Sequence, residues 1–148
     1  MKKSLIAVLF SLTALSVQAE DNLNISSLAA NKDTKAAFKQ MLGKQTLPKW
    51  VAQGGTNSQN KTVEIAGSQF LVLNACKPHD CSSQQIAVLY SPSTHKMSGV
   101  FSSVEEKNAS QKLLWLSVPD ELSIDGKTIL YASLTGSLEN HPDSFNYK

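Results

Sequence analysis

Arginine is absent from this chain: all fourteen basic residues are lysines, and they stand against twelve acidic residues. Arginine is the side chain best suited to bidentate contact with phosphate, and binding to nucleic acid depends on surplus positive charge. Lys2 and Lys3 belong to a segment that we expect to be removed, which leaves twelve lysines against twelve acids. A protein of net charge near zero without arginine is not expected to bind nucleic acid.

Long apolar runs are also absent, since no segment has the roughly 20 residues that a membrane-spanning helix needs. The one apolar stretch near the N-terminus follows Lys2 and Lys3 and ends before the small residues at 17–19. This order is typical of a secretory signal. We predict that residues 1–19 are a signal peptide and that the mature chain begins at Glu20. No cysteine follows this site to carry a lipid, so we expect a periplasmic protein without a membrane anchor.

Residues 20–148 have the length of one domain with one core. Helix formers with apolar residues occupy about 23–42, with helix-start residues at Asp33 and Thr34 and a helix-stop residue at Gly43. Residues 53–60 are polar and rich in glycine and asparagine, which predicts a loop.

The middle of the chain has the two-residue period of strands. Segments 62–65 and 69–73 flank Gly67 and predict a hairpin, and three more strands are predicted at residues 85–90, 97–104 and 111–118. Short connections favour an antiparallel meander, because parallel strands need long crossovers. Residues 124–127 predict a turn, and residues 128–135 form either a helix or another strand, of which we favour the helix. The predicted fold is α+β: a five-stranded antiparallel meander with helices before and after it, packed as α/β/α layers.

Cysteine is scarce, and the two cysteines enclose a short segment: Cys76, Lys77, Pro78, His79, Asp80 and Cys81. In an oxidising compartment, a disulfide is the expected state of such a pair. The closed ring would lie between the second and third predicted strands, at a sheet end where a rigid framework often presents a functional loop. It would display Lys77, His79 and Asp80 with much of their freedom already lost, which favours affinity.

Other chemistry for this segment has less support. Adjacent residues such as His79 and Asp80 rarely aim at each other, and no nucleophile motif or cofactor motif is present, so we predict that the chain is not an enzyme. A structural zinc site needs four ligands, whereas Cys76, His79 and Cys81 give three crowded candidates; we expect no metal and no cofactor. Four residues separate the cysteines, unlike the two of thiol redox motifs. A surface loop that is merely stapled remains an alternative.

The hexapeptide resembles the signature loop of the Ivy family, the periplasmic inhibitors of vertebrate lysozyme. The resemblance extends to Trp50 with Val51, to residues 54–56, 86–91 and 112–116, and to residues 122–128 and 134–143. It therefore covers nearly the whole mature chain from Trp50 onward.

This resemblance implies a function for the loop. Ivy proteins insert it into the cleft of c-type lysozyme, so His79 is expected to reach the two catalytic carboxyl groups of that enzyme. An inhibitor of this kind would protect the bacterial cell wall. For the contact with the enzyme we expect Asp80 to orient the imidazole of His79 or to meet basic groups at the cleft rim, and Pro78 to restrict the backbone that leads to His79. Lys77 is expected to aid attraction or to be only a solvated surface lysine. The resemblance further implies a possible homodimer. A regulator of the bacterium's own lytic transglycosylases, or a cell-wall enzyme that uses His79, stays open as an alternative.

Overall fold

The computed structural model describes residues 23–148, and within them six strands form one antiparallel sheet. The strands are β1 (Thr56–Asn57), β2 (Lys61–Ile65), β3 (Ser68–Cys76), β4 (Gln84–Tyr90), β5 (Met97–Glu105) and β6 (Ser110–Leu116). Their order across the sheet is β1–β3–β4–β5–β6, and β2 also pairs with β3. The strands β2 to β6 confirm the predicted five-stranded meander. The predicted signal peptide lies outside the described residues.

Helices precede and follow the sheet, as predicted. Within residues 23–148, three come before it: α1 (Ile25–Ala30), α2 (Lys35–Leu42) and α3 (Trp50–Gln53). Two follow it, α4 (Asp125–Thr135) and α5 (Ser137–Asn140), together with single 3₁₀ turns at Asp120–Leu122 and Pro142–Phe145. In the described part of the chain we find no helix with the length and apolar character needed to cross a bilayer.

Each face of the sheet carries its own buried core, because successive side chains of a strand point to opposite faces. On β4, Ile86 and Val88 contribute to one core, and Ala87 and Leu89 to the other. The first core is completed by the helices before the sheet, through Ile25, Leu28, Phe38, Met41 and Val51. The second is completed by α4 and α5, through Ile129, Leu130, Ala132, Leu134 and Leu138. Full burial of one such side chain stabilises the fold by about 1.5–3 kcal/mol. These two cores confirm the α/β/α layers.

The N-terminal helical region consists of two helices with a break between them. The helix-start prediction at Asp33 and Thr34 agrees with α2, which follows Thr34, and Gly43 ends that helix with φ of +58°. Thr34 is buried, and its hydroxyl donates to the Leu28 carbonyl over 2.8 Å. This bond replaces helical pairing at the break and joins α1 to α2.

The predicted turn at residues 124–127 is wrong, because these residues start α4. Gly126 is buried in the first turn of that helix, and a Cβ there would lie 2.9 Å from Cβ of Leu122 and 3.5 Å from a methyl carbon of Leu89. The glycine therefore allows close packing between the helix and its neighbours and does not mark a turn. The predicted helix at 128–135 is confirmed as the rest of α4.

The loop predicted at residues 53–60 is also more ordered than expected. It contains the short strand β1, which pairs with the end of β3 through Thr56 with Cys76 and Asn57 with Ala75. Two exposed residues carry no apolar alternation, so a pattern search does not detect this strand. Its importance lies in its partner, since Cys76 starts the hexapeptide.

Candidate functional site

The hexapeptide lies in the connection between β3 and β4, at one end of the sheet. This agrees with its predicted place between the second and third strands. Cys76 is the last residue of β3, and Gln84 is the first of β4. Cys76 and Cys81 are joined by a disulfide, and their Cα atoms lie 4.8 Å apart. We call residues 76–81 the ring. Cys76 is buried in the sheet and Cys81 is exposed, so the ring stands out from the sheet end.

A tight turn places His79 at the corner of the ring. The Asp80 amide donates to the Lys77 carbonyl over 3.0 Å, which leaves Pro78 and His79 as the two central residues. Proline is favoured at the first central position, and a type II turn requires positive φ at the second. His79 has φ of +62°, and histidine is enriched in this region among residues other than glycine. The turn therefore leaves the His79 side chain exposed.

Asp80 points back toward the base of the ring, by which we mean the residues that join it to β3 and β4: Cys76, Lys77, Ser83 and Gln84. Its Oδ2 accepts a bond from Lys77 Nζ at 2.8 Å and another from the Ser83 hydroxyl at 2.6 Å. These two bonds hold the pKa of the Asp80 carboxyl below its usual value, and the bond from Lys77 has the larger effect. The Lys77 and Asp80 side chains remain 42% and 33% exposed, so their attraction is weakened by solvent. Asp80 thus shapes the ring from within.

The base of the ring is tied to three strands. The Lys77 amide donates to the Gln84 carbonyl over 3.0 Å, and the Val104 amide of β5 donates to the Ser83 carbonyl over 2.8 Å. On the opposite side, Thr56 of β1 pairs with Cys76. We call the two segments that lead into the ring its stems: the end of β3 at Cys76 and the start of β4 at Gln84. Both stems are therefore part of a hydrogen-bonded sheet.

Trp50 of α3 lies beside this base. Its indole Nε1 donates to Oε1 of Gln84 over 2.8 Å, and its ring packs at a tilt against Phe101, with 6.3 Å between centroids. A Cβ on Gly55 would lie 2.9 Å from Trp50 Cζ3 and also 2.9 Å from the Cys76 carbonyl oxygen. Only a glycine at this position lets the Trp50 ring and the Cys76 stem approach so closely.

The arrangement offers little to a metal. Both sulfur atoms of the ring are held in the disulfide, and a thiolate is the form of cysteine that binds zinc. Among residues 23–148, no group of three or more His, Cys, Asp or Glu side chains comes together as a metal site. His95 lies in the turn between β4 and β5, at the other end of the sheet. Within the ring, the exposed residues are His79 and Cys81.

Comparison with known proteins identifies the family of this chain. The family model described as "Inhibitor of vertebrate lysozyme (Ivy)" matches residues 33–134. That span includes the ring, its base and Trp50. The chain belongs to the Ivy family. A protein of Escherichia coli named "Inhibitor of vertebrate lysozyme" is 52% identical over 148 residues, which are all of this chain and 94% of that protein.

Two more distant relatives match part of the chain. A Pseudomonas aeruginosa protein named "Inhibitor of vertebrate lysozyme" is 31% identical over 75 residues, about half of each chain. An uncharacterized protein of Yersinia pestis is 30% identical over 118 residues, 74% of this chain and 72% of its own. The named relatives are inhibitors of an enzyme and not enzymes themselves, which confirms the prediction that this Ivy-family chain is not an enzyme.

Sequence patterns did not identify two residues that hold the ring in place, Ser83 and Gln84. Ser83 holds Asp80, and Gln84 holds both Lys77 and Trp50, yet both residues lie just outside the cysteine pair. Trp50 and Gln84 are 34 positions apart, so no local pattern connects them. A polar residue that begins a strand next to a stapled loop, as Gln84 does, is a signal that could have prompted a search for a partner.

The Asp80 bonds predict a pH dependence of the ring. Because the pKa of Asp80 is lowered by its partners, the ionised carboxylate stabilises the ring above the ordinary Asp pKa. This contribution is lost as pH falls through the lowered value. In a carboxyl-detected NMR titration, Asp80 should titrate below the usual Asp range, and Ser83→Ala should move its pKa upward. Ser82→Ala, which changes the neighbouring exposed serine, should leave the Asp80 titration as in wild type. An Asp80 pKa that does not respond to Ser83→Ala would contradict this account.

Proposed function

We propose that this chain is a secreted inhibitor of c-type lysozyme and that it blocks the enzyme by inserting the ring into the substrate cleft. The observation that carries the proposal is an exposed histidine at the corner of a covalently closed loop that stands out from a sheet end. Membership of the Ivy family, and a full-length relative named as an inhibitor of vertebrate lysozyme, support the choice of target. Blocking this enzyme protects the bacterial cell wall.

The chemistry of the target suits an imidazole. Lysozyme cleaves glycan chains with two carboxyl groups, one protonated with a raised pKa and one ionised, and in retaining enzymes such groups lie about 5 Å apart. A histidine carries two ring nitrogens on opposite sides of one rigid ring. His79 can therefore bond to both carboxyl groups at once and occupy the place of the scissile bond.

The other ring residues prepare this contact. Pro78 and the Lys77–Asp80 turn fix the backbone on either side of His79, and the disulfide closes the ring. Restricting a loop to its bound shape before binding lowers the entropy lost on association. We assign Asp80 to shaping the ring, because its carboxylate is already bonded to Lys77 and Ser83. Lys77 contributes mainly to the association rate, as charges at an interface rim do.

The site of action of this inhibitor is the periplasm. This proposal rests on the signal-like residues 1–19 and on the disulfide, which persists in oxidising compartments. Lytic transglycosylases are the alternative target for the same ring, and the same binding assay decides between the two enzymes. A homodimer is proposed from the family resemblance and is measured by sedimentation at the assay concentration.

Processing gives a direct test of location. Protein taken from the periplasm should have the intact mass of a chain that begins at Glu20 and lacks two hydrogens, since a disulfide removes two thiol protons. Two free thiols in that sample, or retention of residues 1–19, would contradict the proposal.

A substitution at His79 tests the inhibitory contact. His79→Asn keeps a residue that tolerates positive φ but removes the imidazole. We expect the variant to remain folded and to lose about 2–4 kcal/mol of binding to c-type lysozyme, as a central interface anchor does, which is roughly 30- to 1000-fold in Kd. Binding is measured by calorimetry and inhibition by cell-wall lysis.

The chain offers a matched control for this experiment. His95 is also exposed and also has positive φ, +57°, but it lies at the opposite end of the sheet. His95→Asn should bind lysozyme as the wild type does. Equal affinity of His79→Asn and wild type would reject the ring as the inhibitory element and would favour a merely stapled surface loop.

A further inference from the structure

We propose that Trp50 is a positioning residue for the inhibitory ring, acting through Gln84 and without entering the contact of His79 with its target. The inference rests on the proposed function for its effect on binding. Its effect on the free protein can be measured separately.

The first step is the link from Trp50 to the stem on β4. The indole N–H of Trp50 donates to the side-chain oxygen of Gln84, and the backbone carbonyl of Gln84 accepts from the Lys77 amide, the first amide after Cys76. One residue thus joins the tryptophan to the ring. An indole N–H that is partly buried needs such a partner, so both ends of the link hold each other in place.

The second step is the link from Trp50 to the stem on β3. Gly55 has space for no side chain, because its Cβ position lies 2.9 Å from both the Trp50 ring and the Cys76 carbonyl oxygen. Gly55 therefore fills the narrow gap between the Trp50 ring and the Cys76 carbonyl, so Trp50 borders the β3 stem through Gly55 and bonds to the β4 stem through Gln84. The tilted ring contact with Phe101 on β5 holds the indole of Trp50 against the sheet.

The ring depends on this support for its orientation. A disulfide that closes a loop of six residues fixes the shape of the ring but not its angle to the sheet. That angle depends on the hydrogen bonds at residues 77, 83 and 84. Since a displacement of about 1 Å in a contact group can remove most of its benefit, a residue that fixes the angle contributes to affinity without touching the partner.

The experiment compares Trp50→Phe with wild type in two measurements. In the free protein, hydrogen exchange of the Lys77 amide should become faster, and the NMR signals of the His79 ring should shift. In the complex with c-type lysozyme, the dissociation rate should rise roughly three- to tenfold, the equivalent of one hydrogen bond, with little change in the association rate. A role confined to overall stability would lower the unfolding temperature without altering the dissociation rate of the folded protein.

Two further variants make the result specific. Gln84→Met removes the acceptor from the other side of the same bond, so it should reproduce both effects and add little to Trp50→Phe in the double variant. It also decides the question if Trp50→Phe does not fold. Trp115→Phe is the matched control, because Trp115 packs on the opposite face of the sheet, under Lys127, and it should change neither measurement.

The outcomes separate the two proposals. If wild type does not bind lysozyme but Lys77 exchange responds to Trp50→Phe and Gln84→Met, the target is wrong and the positioning role stands. If wild type binds and neither variant changes Lys77 exchange or the dissociation rate, the positioning role is overturned. A change in dissociation rate without any change in the free protein would make Trp50 a direct contact and would also overturn it.

Discussion

Strands β3 and β4 pair at the centre of the sheet, from Leu71 opposite Tyr90 to Cys76 opposite Gln85. This register decides where the chain reverses, because pairing ends at the residue that carries the first sulfur. The same two strands contribute to both cores, through Leu73 and Val88 on one face and Val72 and Leu89 on the other. A shift of one residue would exchange the two faces, so burial of these side chains fixes the position of the ring.

Within the ring, several weak constraints act together on one exposed residue. In the chain-entropy model, a disulfide that closes so short a loop contributes only about 2 kcal/mol. A residue other than glycine with positive φ costs about 1–3 kcal/mol. The turn bond from Asp80 to Lys77 and the bonds from Lys77 and Ser83 to the Asp80 carboxylate offset the strain at His79. The result is a histidine held in place mainly by its backbone, with its side chain free for a partner.

Local patterns in the sequence predicted much of this molecule. Strand alternation located β2 to β6, and the pair Cys76 and Cys81 located the ring, because both signals depend on neighbouring residues. The turn predicted at 124–127 failed because Gly126 serves a packing contact with Leu122 and Leu89, and a glycine in a turn and a glycine in a close contact look alike in sequence. Resemblance to the Ivy family supplied the proposed target and the proposed role of His79, which spacing alone could not.

The support beneath the ring could not be predicted in the same way. Trp50 and Gln84 meet only because α3 packs on one face of the sheet, near the end where β4 begins. The strand β1 has two residues and no alternation. These features depend on how distant elements pack, and they determine the angle at which His79 is presented.

The proposed insertion of the ring into the catalytic cleft of lysozyme can be tested by competition for that cleft. Complex formation between the mature protein and c-type lysozyme is titrated while an oligosaccharide fills the same cleft. If the two exclude each other, the apparent Kd should rise about tenfold when the saccharide is present at ten times its own Kd. An apparent Kd that stays constant while the saccharide saturates the enzyme would contradict insertion of the ring into the cleft.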